Sequence, residues 1–248
     1  MISSSVICFI VIICFASIQF IEVSSFFARY SGIYIGKKTL AYALQNAVFM
    51  LTRFFTMALL PLLGLLIDFG VDRTEYLYMV SGAFICSGIL GLAVVYFRSY
   101  IVSGFISVLE SVSLGKSLFT SLLKLPFFII KNKKNINIAK PKFSYLIKSK
   151  IFWLSAIVFA VYALSIFMVF FVSLNFPDYR ASISQLSGVT NALATVLLTF
   201  IIEPKISVAI DKDSNDEALN MLFSLILGRI AGVFIISQSF VGFLMVVS

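Results

Sequence analysis

Six apolar runs, each long enough to cross a bilayer as a helix, divide this chain: residues 3–27, 40–67, 77–97, 151–174, 183–202 and 219–247. A hydrocarbon core about 30 Å thick needs roughly 20 helical residues at about 1.5 Å each. The runs are continuous rather than alternating, which argues against a β-barrel. With 60% hydrophobic and 12% charged residues, the chain has too little polar surface to cover a soluble globule. The expected fold is therefore all-α: a polytopic integral membrane protein with six transmembrane helices, one domain over residues 1–248. No basic residue precedes the first run, so it is expected to stay as a helix rather than be cleaved as a signal peptide.

Lysine and arginine in the connections orient the spans, because cytoplasmic loops carry the excess. The first connection holds Arg29, Lys37 and Lys38; the second holds only Arg73, beside Asp68, Asp72 and Glu75. The third, residues 98–150, holds Arg98 and nine lysines. The fourth has Arg180 alone, and the fifth has Lys205 and Lys212 among five acids. Connections one and three are thus expected inside a cytoplasmic membrane, with both termini outside. Within the third, Ile101, Phe105, Val108, Leu109, Val112, Phe119 and Leu122 keep helical spacing. That pattern predicts a cytoplasmic amphipathic helix on the inner leaflet, followed by a lysine-rich stretch that either lies near anionic headgroups or is a solvated basic loop.

Charges inside the spans carry the functional signal. An arginine at a bilayer centre costs roughly 2.5–3.5 kcal/mol even on the lenient insertion scale. Such a residue persists where it faces protein or a water-filled cavity. Arg53 lies mid-way along the second run, Arg229 inside the sixth and Glu22 inside the first. At about 100° per residue, Gln45, Asn46, Thr52, Arg53 and Thr56 share one arc, opposite Val48, Phe54, Phe55 and Leu59, which would suit lipid. Interhelical hydrogen bonding accounts for Gln45 and the threonines, and it accounts poorly for Arg53.

In the fifth run Ser184, Gly188, Asn191, Thr195 and Thr199 line one face, with Gly188 set in small-xxx-small spacing that suits close helix packing. In the sixth, Gly228 and Gly232 form a GxxxG around Arg229. Glu22 and Arg229 fall at similar depth, so an ion pair between them and inward snorkelling of Arg229 are both open readings. The third run, with Ser81, Gly82, Gly88 and Gly91, reads as a packing helix, and the fourth, rich in Phe, Val and Ile, as lipid-facing. Arg53, Asn46 and Asn191 are expected to line one cavity, with Arg229, Gln45 and Thr195 as further binding residues.

Catalytic patterns are missing. The chain has no histidine, and its three cysteines sit in apolar runs without metal or disulfide spacing. No HExxH, GxSxG, P-loop or calcium-loop pattern occurs. The expectation is no enzyme activity, no metal and no cofactor. The basic residues cluster between spans rather than on a nucleic-acid face, so no nucleic-acid partner is expected.

Several of these residues also form a familiar series. Ser24-Ser25, Arg29, Gly32, Asn46, Arg53, Pro61, Gly64 and Asp68 make one block. Asp178-Tyr179-Arg180, Leu186-Ser187-Gly188, Asn191-Ala192, Ala194-Thr195, Glu203-Pro204-Lys205-Ile206-Ser207 and Asp211 make a second, extended by Gly228-Arg229, Gly232 and Gln238. The series resembles the Amj family, the alternate lipid II flippases of bacteria. The resemblance implies outward movement of an undecaprenyl-pyrophosphate-linked sugar, lipid II or a related lipid-linked saccharide, across the cytoplasmic membrane. It implies that glycolipid and the membrane lipids as partners. A non-transporting assembly protein and an enzyme acting on the polyprenyl carrier are the alternatives from other classes.

Overall fold

The structure is a computed structural model that describes residues 4–131, 146, 148–211 and 215–247. Helix α1 (Ser4–Tyr34) runs seven residues past the end of the first apolar run, with Arg29 and Gly32 both buried within it. Gly36, at φ 74°, makes the turn into α2 (Lys38–Met50), and α3 (Thr52–Asp68) follows after an interruption at Leu51. Asp72 caps α4 (Arg73–Tyr96) by accepting from the Thr74 backbone N–H at 2.9 Å, which holds its carboxyl below the usual carboxylate range. Next come α5 (Arg98–Ser113), α6 (Leu118–Leu123), α7 (Leu125–Lys131) and α8 (Lys150–Ser173). Helix α9 (Arg180–Leu197) continues through a π-helical turn, Leu198–Ile202, into α10 (Glu203–Asp211). Finally α11 (Asn215–Ala231) passes through a second π-helical turn, Gly232–Ile236, into α12 (Ser237–Val247).

Helix α1 is the axis of the bundle and touches α2, α3, α4, α5 and α11. Phe15, Phe84 and Phe167 lock α1, α4 and α8 together, edge to face at centroid distances of 4.8–5.7 Å. Helix α8 is therefore a core element, not the lipid-facing helix its composition suggests. Phe159, Ala163, Ile166, Phe167 and Phe170 are all buried. Because lipid tails and a membrane-protein interior are equally apolar, the sequence carries no signal to separate them.

In the third connection, α5 buries Val102, Phe105, Val108 and Leu109 against α1 and is covered by α7, with Ile129 against Gly104. Ser31 ties the two helices by donating to the carbonyls of Phe27 at 2.7 Å and Val102 at 3.3 Å. Most of the lysine-rich stretch lies outside the described residues.

Among the described residues, five helical passages are long and apolar enough to cross a membrane: Ser4–Tyr34, Lys38–Asp68, Arg73–Tyr96, Lys150–Ser173 and Asn215–Val247. The chain is thus a multi-pass all-α membrane protein. The fifth predicted run, 183–202, forms α9 and its π-helical turn and is not one of these five. Its ends nevertheless lie at opposite ends of the bundle. At the start, α8 leads into it from Phe167, whose carbonyl accepts from the Tyr76 hydroxyl at 2.9 Å near the beginning of α4. At the finish, Glu203 meets Arg29 at 2.6 Å and the Ile210 carbonyl accepts from Lys38 at 2.9 Å, beside the α1–α2 turn.

Packing of α11 on α8 depends on glycine. A Cβ at Gly228 would run into the Phe152 carbonyl oxygen, and one at Gly232 into that of Ala156. Backbone cannot rotate away as a side chain can, so overpacking here costs at least the usual ~1–3 kcal/mol. Gly232→Val is expected to lower the unfolding temperature in detergent and reduce membrane abundance. A variant as stable as wild type would disprove the close approach. Gly188 departs from expectation: it is exposed, and a Cβ there meets nothing within 4 Å among the described residues. The small-xxx-small spacing on α9 faces away from the neighbouring helix, so it mediates no close crossing.

Candidate substrate cavity

Two arginines and a glutamate from three different spans converge on one cavity. It is lined by Glu22 on α1, Phe49 on α2, Thr52, Arg53 and Thr56 on α3, Val158, Phe159 and Tyr162 on α8, Thr195 and Leu198 on the α9 passage, and Arg229 on α11. The space inside it that is open to water-sized occupants is about 110 Å³, smaller than a site that encloses a drug-sized ligand.

Arg229 is 1% exposed and held on three sides. It forms an ion pair with Glu22 through Nη2, and donates from Nε and Nη2 to Gln19 Oε1 at 3.1 and 2.8 Å. Its guanidinium also lies 4.1 Å from the Phe159 ring centroid. Of the two readings open in the sequence, the structure places Arg229 in the pair rather than snorkelling. Gln19 was not singled out by sequence. The signal was there, since Gln19 and Glu22 stand three apart on one helical face.

Arg53 is different in kind. It stands exposed on the cavity wall and has no ion-pair or hydrogen-bond partner among the described residues. The neighbouring hydroxyls already donate to backbone, Thr52 to Phe49 O at 2.7 Å and Thr56 to Thr52 O at 3.0 Å. The free donors facing the cavity from α3 are therefore those of the Arg53 guanidinium.

The remaining candidates separate. Thr195 lines the cavity. Gln45 is buried and Asn46 exposed, and neither lines it. Both lie seven residues before the Thr52–Arg53 pair, about 10 Å along the axis, so sharing an arc does not mean sharing a depth. The lipid arc fails in part too, since Val48 and Leu59 are buried against the core. Asn191 lies on α9, and its side chain is outside those described. Gln238 donates to Ser81 Oγ at 2.6 Å, joining α12 to α4 away from the cavity.

Three of the passages that line this site are irregular beside it. The α2–α3 passage breaks at Leu51, two residues before Arg53; one π-helical turn begins at Leu198, itself a lining residue; the other begins at Gly232, three residues after Arg229. Such turns free backbone groups and concentrate at functional positions.

A second polar cluster lies toward the α1–α2 turn. Arg29, 4% exposed, pairs with Glu203 at 2.6 Å, reaches Ser207 at 3.3 Å and stacks on Tyr42 at 5.2 Å. The sequence places it in the first connection, where it counts toward orientation. Tyr30 and Ile33, one and four residues on and both buried, were the clue to its burial.

The family described as Amj, alternate to MurJ, matches residues 14–246, nearly the whole chain and every element of this cavity. The chain belongs to the Amj family. Lipid II flippase Amj of Bacillus subtilis (strain 168) is 24% identical over 209 residues, covering 78% of this chain and 76% of that protein. No solved structure matches. Flippase activity on a lipid-linked precursor is thus present in the family, and the cavity is the feature of this Amj chain to set beside it.

Proposed function

We propose that this protein moves an undecaprenyl-pyrophosphate-linked saccharide, lipid II or a close relative, from the inner to the outer leaflet of the cytoplasmic membrane. The observation that carries the reading is Arg53, a guanidinium on the wall of a cavity between spans with no partner among the described residues. A pyrophosphate headgroup crosses hydrocarbon only if something replaces its hydration, and a guanidinium fork matches phosphoryl oxygens two at a time. Arg53 and Arg229 would take the headgroup from two sides, with Thr195 and Asn191 adding neutral donors, while the polyprenyl tail stays in lipid. The homologue's name and the family match support the same substrate class. The test is expression of the intact chain in cells depleted of their own lipid II flippase. Outer-face precursor, scored by its access to an externally added cleaving enzyme, should recover; continued absence would rule the reading out.

The same reading requires six crossings with both termini outside. The loop charges support it, as do the ends of Arg180–Asp211 at opposite ends of the bundle. At about 1.5 Å per residue that stretch is long enough to cross. Single cysteines replacing Asn175 and Lys205 should differ in labelling by an impermeant thiol reagent, Asn175→Cys reacting in intact cells and Lys205→Cys only after lysis. Equal labelling of both would leave five crossings.

A further inference from the structure

We propose that Glu22 is a proton-binding site and that the cavity takes up one proton with each pyrophosphate headgroup it receives. The inference rests on the headgroup reading above and adds the fate of the buried acid. The carboxylate of Glu22 is held by Arg229, with both side chains 2% exposed. An arriving pyrophosphate diester carries a negative charge on each phosphoryl group and competes for the same guanidinium. Glu22 would then be an unpaired carboxylate facing an anion in a site poor in water, among the costliest arrangements for a buried charge.

Charge balance points to the remedy. With Glu22 ionised, two arginines face a glutamate and a doubly charged ligand, and the loaded site is left negative. With Glu22 protonated, the two arginines match the ligand. Arg229 stays in place when the pair breaks, because Gln19 Oε1 and the Phe159 ring hold it independently. Among the described residues no other acid lines the cavity to take the proton. From the neighbouring helices, α3 presents Arg53, α8 presents Tyr162, the α9 passage presents no ionisable group and α11 presents Arg229. Helix α4 has no charged residue between Tyr76 and Tyr96; on α5, Arg98 opens the helix and Glu110 is exposed near its end. The step is simple in atoms: one carboxylate oxygen gains a proton from solvent, forms an O–H and releases its ion pair.

The sign follows from linkage. A group that gains a proton on binding makes affinity highest at low pH and weakens it by up to about tenfold per unit as pH rises. The experiment is titration calorimetry of the full chain in detergent with a short-chain polyprenyl-pyrophosphoryl-N-acetylglucosamine, whose diester does not titrate near neutral pH. Measured in two buffers of different ionisation heat, wild type should take up close to one proton per ligand. Binding with no buffer dependence and no pH dependence would overturn the proton site and leave the headgroup reading standing; no binding at all would sink both. Glu22→Gln protein that purifies should bind without proton uptake and without pH dependence. Uptake that persists in it would place the proton elsewhere and overturn the assignment.

Discussion

Glu22→Gln is expected to cost this protein about 3–5 kcal/mol, the usual penalty for leaving one member of a buried pair uncompensated. Arg229 would remain as a full charge, 1% exposed, with Gln19 Oε1 as its remaining polar contact. A native membrane protein has only about 5–15 kcal/mol in hand, so most molecules should fail quality control and abundance should fall several-fold. Adding Arg229→Gln removes the stranded charge and lets two amides meet where the ion pair was, so the double variant should be more abundant than Glu22→Gln alone. Immunoblots of membrane fractions decide it. A double variant no better than the worse single one would mean that the two charges are not coupled in the folded protein.

Arg53 should behave in the opposite way. It has no partner among the described residues to strand, so Arg53→Gln should leave abundance near wild type while reducing transport at least a hundredfold. That figure corresponds to losing about 3 kcal/mol, the upper range for a hydrogen bond to a charged group. Arg53→Lys keeps the charge and loses the planar fork, so it should retain part of the rate. The outer-face precursor assay, normalised to protein level, reads both. If Arg53→Gln transports normally, the cavity is packing space and the flippase reading loses its physical basis. The contrast is itself diagnostic, because Glu22 acts on stability first and Arg53 on transport alone.

The glycines, the arginine neighbours and the passage order show how far one dimension reaches. The GxxxG around Arg229 announced a close contact, and Gly228 and Gly232 do press on backbone of α8. The same spacing at Gly188 announced one that does not form, because spacing says nothing about which way a helix is turned. The polar arc on the second span is split by the fold, since Gln45 and Thr52 are both buried and Asn46 and Arg53 both exposed. Phase alone could not tell that the cavity spans only the Phe49–Thr56 level.

Membrane residence, helical class, the order of passages and the presence of costly charges within them were determined by the sequence alone. These are local properties: the bilayer imposes its demand on every 20-residue window separately, at about 1.5 Å per residue. The pairing of those charges was decided only by the tertiary structure. Arg229 finds Gln19 across 210 positions, and Arg29 finds Glu203 across 174. Which apolar faces meet protein and which meet lipid was decided there too, because hydrocarbon and a helix-bundle interior are nearly the same solvent to a phenylalanine.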